Sequence, residues 1–233
     1  MLSLPILRRV ADAAAVSLDR RALLASMAAS VVIGTVADAM AAELVDGDFA
    51  RRLREAAPFG GDRVLGREDA RVELIEYGSV TSGSCAKFHV DVLPVIQERY
   101  IDTGLVKYVF REYPMDQSAL MVFMLTRCIP EAKYFSTLDM IFQRQSLWKG
   151  TNIKPELLKI MRSAGMSEAD FVACLRRKEL AHAIHETRQK ARDVFGVEDT
   201  PTFFVNGRKV DDHESVTAVL AVIKSALEDA EDQ

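Results

Sequence analysis

The sequence predicts an α/β protein in which a block of helices interrupts a small sheet. Residues 117–195 carry only helical patterning, with apolar residues at three- and four-residue steps. Segments rich in β-branched and aromatic residues lie on both sides of this block, at residues 62–66, 71–77, 105–111, 202–205 and 208–210. A helix-connected pair of strands, followed by a terminal hairpin and helix, makes a layered α/β fold, and the helical block is then an insertion into it.

The first helix is predicted to begin near Ser82 and to end near Asp102, where Thr103-Gly104 follows. Pro94 lies inside this helix and is expected to kink it, because proline has no amide hydrogen to donate. The apolar residues that recur every three or four positions, and that are expected to form one face, are Phe88, Val92, Val95, Ile96 and Tyr100.

Inside the helical block, helices are expected at residues 119–128, 134–145, 155–164, 168–176 and 181–195. The residues expected to form the core of this insertion, and not a cofactor site, are Phe135, Phe142, Leu147 and Trp148. Farther along, Asn206-Gly207 between two apolar runs predicts a hairpin. Residues 214–228 are patterned as an amphipathic helix.

Length and composition fit this architecture. The chain has 233 residues, of which 49% are hydrophobic and 27% charged, which is enough apolar material for one domain with a sizeable insertion. Its formal net charge of -4 argues against a nucleic acid as partner. No cysteine or histidine spacing matches a zinc site, so neither a metal nor a cofactor is expected.

Residues 1–41 follow the plan of a secretory signal peptide. Arginines come first, in residues 8–21, then an apolar run over residues 22–36, and then Ala39-Met40-Ala41 as a cleavage site. Residues 17–24 also resemble a twin-arginine signal. The alternative is a retained membrane anchor, but the uncharged run of about fifteen residues is shorter than the roughly twenty that span a bilayer. We therefore expect cleavage and export.

Export changes how the cysteines are interpreted, because disulfides persist in an oxidising compartment. The chain has three, Cys85, Cys128 and Cys174, and one pair with one odd thiol is their simplest arrangement. An odd thiol in an exported protein is a candidate reactive group.

Residues 76–89, 109–114 and 199–207 resemble three blocks of the DsbA family of thioredoxin-fold thiol:disulfide oxidoreductases. Residues 76–89, EYGSVTSGSCAKFH, resemble the strand end and helix start that carry the family's C-x-x-C motif. Residues 109–114 resemble the end of its next strand, and residues 199–207 resemble its cis-proline loop and hairpin. The match covers residues 62–228. It implies a thioredoxin fold with an inserted helical domain, acting in the bacterial periplasm.

The resemblance also implies domain boundaries. Residues 42–61 would be a lead-in segment after the signal peptide, and residues 62–116 with 196–233 would form the thioredoxin-like domain. Residues 117–195 would form the inserted helical domain.

Ser82 stands where the family has its first cysteine, and only the second cysteine, Cys85, is present. In the family the first cysteine attacks as a thiolate, which the helix N-terminus favours. A serine hydroxyl forms no disulfide and needs a nearby base to become a nucleophile. His89, two turns along the helix, is interpreted as a packed or surface residue. The usual dithiol cycle is therefore excluded.

Two alternatives are open at each of the two motif residues. Ser82 is either a helix N-cap or a group that holds a sulfur or an anion of a ligand at the helix N-terminus. Cys85 is either a small buried apolar residue or an exposed thiol that forms mixed disulfides.

The other candidate site residues follow from the resemblance. Sequence alone favours a trans Thr200–Pro201 bond, whereas the resemblance implies a cis bond in a loop that faces the helix N-terminus and presents an edge to an extended peptide. It also implies a structural disulfide between Cys128 and Cys174, worth on the order of 4 kcal/mol. Two buried free thiols are the alternative.

Two functions from different classes follow. The first is thiol:disulfide interchange on exported unfolded or cysteine-containing polypeptides, with impaired or monothiol activity through Cys85 and with a membrane redox partner or a small thiol. The alternative is a redox-inactive chaperone or adaptor that binds peptides in the cis-proline groove. A structural role is a third hypothesis.

Overall fold

A mixed five-stranded sheet forms the centre of the structure, a computed structural model that describes residues 47–150, 153–211 and 216–231. The strands are β1 (Arg63–Leu65), β2 (Val72–Gly78), β3 (Val106–Glu112), β4 (Thr202–Val205) and β5 (Arg208–Lys209). They are ordered β1-β3-β2-β4-β5, with β2 and β3 parallel and the other neighbours antiparallel. The predicted α/β class is confirmed.

A continuous helical run over residues 83–101 connects the two parallel strands. It consists of α2 (Gly83–Lys87), a π-helical turn (Phe88–Val92), α3 (Leu93–Ile96) and a second π-helical turn (Gln97–Ile101). The predicted extent of this helix, from near Ser82 to near Asp102, is confirmed. The prediction that it is one α-helix throughout is wrong.

The π-helical turns also change which residues face the core. Val95 was expected on the buried face, yet 36% of it is exposed, whereas Val92 and Ile96 are buried. A π-helical turn holds an extra residue, so it rotates the positions that follow it away from an ideal α-helical stripe. Pro94, at the start of α3, has no N–H to donate and interrupts the α-helical hydrogen-bond ladder at this point.

The helical block lies between β3 and β4, as expected. Its helices in the described part of the chain are α4 (Gln117–Arg127), α5 (Tyr134–Gln143), α6 (Gln145–Trp148), α7 (Ile153–Ser163), α8 (Glu168–Leu175) and α9 (Lys178–Phe195). The helix expected over residues 134–145 ends at Gln143, and the one-turn helix α6 that follows was not predicted. The chain then returns through β4 and β5 to α10 (Val216–Glu231).

The expected core of the insertion is right except at Leu147. Trp148 and Phe142 are buried, and the indole N–H of Trp148 donates to the carbonyl of Ile141 at 2.7 Å. Leu147 is 64% exposed, so its assignment to the core is wrong. In a single helical turn, adjacent residues point about 100° apart, and burial of Trp148 leaves Leu147 at the surface.

The hairpin prediction at Asn206-Gly207 is confirmed. Both residues have positive φ, 47° and 86°, as a type I′ turn requires. The turn joins β4 to β5, with Phe204 opposite Lys209 and Val205 opposite Arg208.

Where the structure describes it, the lead-in segment before β1 contains a helix that was not predicted. Residues 47–54 form a helix, α1. Its residue Leu53 is fully buried and packs with Ile75 and Tyr77 of β2, on the sheet face opposite to Leu74. The apolar residues of α1 are too few for a sequence pattern, but Leu53 and Phe49 both belong to one apolar cluster with the sheet.

A buried ion pair fixes the insertion to the end of β3. The guanidinium of Arg127, at the end of α4, donates to the Glu112 carboxylate at 2.5 and 2.7 Å. Both side chains are nearly inaccessible, at 3% and 1% exposure. The Tyr134 hydroxyl at the start of α5 donates to the same carboxylate at 3.0 Å.

The predicted signal peptide, residues 1–41, and residues 42–46 of the lead-in lie outside the described residues. Among the helices that the structure describes, none combines the length and the apolar character needed to cross a bilayer.

We predict that Arg127→Met lowers the free energy of unfolding by about 3 to 5 kcal/mol, because it leaves the Glu112 carboxylate buried and without its countercharge. Urea denaturation followed by circular dichroism measures this loss. Arg67→Met is the matched control, since it removes the exposed Arg67–Asp69 pair and should leave the midpoint nearly unchanged. Equal midpoints for Arg127→Met and Arg67→Met would contradict the prediction.

Candidate functional site: a serine-capped helix facing a cis-proline loop

Ser82 links the two halves of the candidate site. It is the N-cap of α2, with φ -75° and ψ 130°, and its Oγ accepts a hydrogen bond from the backbone N–H of Cys85 at 3.2 Å. Its hydroxyl donates to the carbonyl of Thr200 at 2.9 Å. One oxygen therefore caps the helix and ties it to the loop before Pro201.

Cys85 is the free cysteine of the described residues, and it is buried. The interpretation of Cys85 as an exposed thiol is wrong. Its Sγ lies 3.4 Å from the backbone nitrogen of Ser79, whose N–H donates to it. Burial, followed by the charge of Glu76, raises the pKa of the Cys85 thiol from 9.0 to about 12. The group is therefore a neutral thiol at physiological pH.

Glu76, His89 and Tyr108 form a buried polar cluster that sequence analysis missed. The Tyr108 hydroxyl donates to Glu76 Oε2 at 2.6 Å, and His89 Nε2 lies 3.3 Å from the same oxygen. Within the described residues, Glu76 Oε1 and His89 Nδ1 have no hydrogen-bond partner. The sequence signal was Glu76 in the middle of a largely apolar strand, and this position alone does not show what the carboxylate pairs with.

The Glu76 carboxylate affects the pKa values of the side chains around it. Burial disfavours the imidazolium of His89, but the carboxylates of Glu76 and Asp139 outweigh burial and raise the pKa of His89. Burial and the Glu76 carboxylate together raise the pKa of Tyr108 well above its usual range. A negative charge at Glu76 therefore favours imidazolium at His89 and disfavours thiolate at Cys85.

The inserted helix α6 holds the chain just before the motif. Gln145 Nε2 donates to the carbonyls of Val80 and Ser82, both at 2.8 Å. The ammonium of Lys149 donates to the carbonyl of Thr81 at 2.6 Å. Three consecutive carbonyls are thus satisfied by the insertion, and sequence analysis assigned no role to Gln145 or Lys149.

The Thr200–Pro201 peptide bond is cis. Antiparallel pairing of β4 with β2, which sets Tyr77 opposite Thr202, brings this loop to the N-terminus of α2. Thr200 is nearly buried, and its Oγ1 lies 3.1 Å from Met115 Sδ. The cavity between helix and loop is open and has a volume of about 460 Å³, lined by Thr81, Ser82, Gly83, Met115, Asp116, Asp199 and Thr200.

Cys128 and Cys174 are bonded to each other in the insertion, with an S–S distance of 2.06 Å. They do not line the groove that contains Ser82 and Thr200. Nowhere in residues 47–150, 153–211 and 216–231 do three or more histidine, cysteine or acidic side chains come together as metal ligands.

Comparison with known proteins agrees with this architecture. Residues 59–225 match the family model described as thioredoxin. A Rickettsia bellii protein with the provisional name protein-disulfide oxidoreductase is 30% identical over 74% of this chain and 67% of its own length. The crystal structure of Wolbachia pipientis α-DsbA1 superposes with a TM-score of 0.68 and 28% identity, over 75% of this chain and 94% of that one.

This chain belongs to the DsbA family of thioredoxin-fold proteins. A second relative of the same provisional name, from Rickettsia conorii, is 32% identical, and this DsbA-family chain spans 62% of its length. BdbD from Bacillus subtilis, at 21% identity and a TM-score of 0.66, shares the fold over 74% of this chain. In this DsbA-family chain the groove is lined by the serine Ser82, and the thiol of Cys85 is buried beneath it and does not line it.

We predict that native Cys85 resists alkylation by iodoacetamide at pH 8. A pKa of about 12 leaves a thiolate fraction roughly a thousandfold below that of an ordinary cysteine, since each pKa unit is tenfold. The rate in the native protein should keep rising above pH 9, where the rate in urea-unfolded protein levels off. Mass spectrometry measures both rates, and a native rate equal to the unfolded one would contradict the prediction.

Proposed function

We propose that this chain binds extended segments of exported polypeptides in the cis-proline groove and does not carry out a dithiol cycle through its motif. The observation that supports this most directly is the position of the Ser82 hydroxyl, which joins the helix N-terminus to the Thr200 carbonyl while Cys85 stays buried. An oxygen in that place forms no mixed disulfide, whereas the groove beside it is open.

The groove suits an extended peptide. Thr200 precedes a cis proline and β4, and among the described residues its backbone N–H has no hydrogen-bond partner. A free N–H next to a strand is the group that an added strand uses. Met115, at 49% exposure, gives an adaptable apolar contact at the same place. Asp116 and Asp199 line the cavity, so neutral or basic segments are favoured over acidic ones.

The place of action and the partners belong to the same proposal. Residues 1–41 direct the chain, as a cleaved signal peptide, to the periplasm. The ligands are unfolded polypeptides on that side of the membrane. Residues 62–116 with 196–233 form the binding domain, and residues 117–195 form an inserted domain that holds the motif loop through Gln145 and Lys149.

Thiol:disulfide interchange through Cys85 alone is the second candidate function. The provisional names of the rickettsial relatives favour it, as does the Ser79 N–H, which would stabilise a thiolate at Cys85. This function requires the Ser82 cap to open, because Cys85 is inaccessible in the closed site. A small thiol or a membrane protein would then resolve the mixed disulfide.

We predict that the wild-type protein binds a fluorescent, cysteine-free basic peptide, and that Gly83→Phe weakens binding at least about tenfold. A side chain at Gly83 would project into open space in the groove, so it fills the site without straining the fold. Gly47→Phe, also in open space but not in the groove, is the matched control. Fluorescence anisotropy measures the dissociation constants.

Cys85→Ala should leave the dissociation constant of this peptide within about twofold, because a binding site without covalent chemistry does not use the thiol. Absence of peptide binding by the wild-type protein would exclude the proposed function. Binding that depends on Cys85 would favour the second candidate.

We predict that Ser82→Cys adds thiol oxidase activity at the motif, which has no attacking sulfur in the wild-type protein. A sulfur at this N-cap would be stabilised as thiolate by the helix N-terminus, and the N-cap side chain already lies within 3.2 Å of the backbone of Cys85. Turnover of a dithiol peptide with oxidised glutathione as oxidant measures the gain. Ser82→Ala is the control and should turn the peptide over no faster than the wild-type protein. A Ser82→Cys rate equal to the wild-type rate would contradict the prediction.

A further inference from the structure

The disulfide in the insertion opens onto a cavity of its own. This cavity, of about 440 Å³, is lined by Cys128, Ile129, Pro130, Gly165, Met166, Asp170, Ala173, Cys174 and Arg177. Cys128 is half-buried, whereas Cys174 is 3% exposed. An incoming thiolate therefore reaches the sulfur of Cys128 more easily than that of Cys174, because access decides which sulfur is attacked.

A cation lies beside the accessible sulfur. Nη1 of the Arg177 guanidinium is 3.7 Å from Cys128 Sγ. Among the described residues, no other side-chain hydrogen bond or ion pair engages this guanidinium. The acidic residue of the cavity, Asp170, accepts a hydrogen bond from the Ser167 hydroxyl at 2.6 Å. The Arg177 guanidinium, in contact with the Cys128 sulfur, favours thiolate there.

The buried sulfur has an acceptor in place for its reduced form. Cys174 Sγ lies 3.1 Å from the carbonyl oxygen of Met124 in α4. In the disulfide this sulfur has no hydrogen to donate, but after reduction its S–H donates to that carbonyl. A buried group that gains a hydrogen bond on reduction lowers the cost of breaking the S–S bond.

We propose that the Cys128–Cys174 disulfide is a second thiol-exchange site, at which a dithiol compound or dithiol segment of a polypeptide is oxidised by attack on Cys128. Nothing in this proposal uses Ser82, Cys85 or the cis-proline groove.

The exchange balances without a further oxidant. A thiolate of the dithiol attacks Cys128 Sγ, the S–S bond breaks, and Cys174 leaves and takes a proton. The second sulfur of the dithiol then attacks the mixed disulfide and releases Cys128 as a thiolate beside Arg177. The dithiol becomes a disulfide, the protein pair becomes one thiolate and one thiol, and the remaining proton goes to solvent.

The test is reduction of the native, oxidised protein by dithiothreitol, with acid quenching, alkylation and mass spectrometry. We expect a rate proportional to dithiothreitol concentration under conditions where the protein stays folded, as monitored by circular dichroism. Arg177→Met should lower this rate about fivefold at low salt, because it removes the charge that attracts the thiolate and stabilises Cys128. At 1 M salt the difference should shrink.

Arg176→Met is the matched control, because Arg176 is the exposed neighbour in sequence and does not line the cavity. Its rate should equal the wild-type rate, as should that of Cys85→Ala. In a parallel reaction with glutathione, a monothiol, the trapped adduct should map to Cys128.

Two results would overturn the proposal. The first is a reduction rate that is independent of dithiothreitol concentration and equal to the rate of global unfolding, which would make the disulfide purely structural. The second is an Arg177→Met rate equal to that of Arg176→Met. Neither result changes the expected peptide binding in the groove, so this proposal and the proposed function fail separately.

Discussion

The double hydrogen bond of the Ser82 hydroxyl is the contact on which the candidate site depends. The same oxygen accepts the Cys85 N–H and donates to the Thr200 carbonyl, so it joins a helix N-terminus to a loop 118 residues farther along the chain. A hydroxyl does this well because it is a donor and an acceptor at once, whereas a thiol is weak in both roles. In this DsbA-family chain, the residue at the position of the motif's first cysteine is a serine, and it links the two sides of the groove.

The surroundings of Cys85 agree with that change. A buried cysteine is unreactive unless a nearby cation or hydrogen-bond donors favour its thiolate. Here burial and the Glu76 carboxylate act in the other direction, and the hydrogen bonds from Ser82, Ser79 and Thr200 to the sulfur are too little to offset them. Glu76 in turn is held by Tyr108 and His89. Burial, together with the Glu76 carboxylate, keeps Cys85 protonated, and both side chains belong to the core.

The insertion contributes to the site as well as to the core. The Glu112–Arg127 pair fixes α4 to the end of β3, and α6 then reaches back to the carbonyls of residues 80–82 through Gln145 and Lys149. The Cys128–Cys174 bond ties the end of α4 to α8, and the Arg177 guanidinium and the Met124 carbonyl each lie beside one of its sulfurs. The proposed thiol exchange and the proposed peptide binding thus lie in separate parts of one chain.

The sequence by itself determined the α/β class, the order of the elements, the hairpin at Asn206-Gly207 and the absence of an attacking sulfur at residue 82. These follow from local patterns or from the identity of one atom, so they need no knowledge of distant contacts. Only the tertiary structure decided that residues 47–54 dock as a helix, that Leu147 is exposed, that Cys85 is buried beside Glu76 and that Gln145 and Lys149 hold the motif loop. Burial, pKa and hydrogen-bond partners are set by residues far apart in the chain, and no spacing within a single segment encodes them.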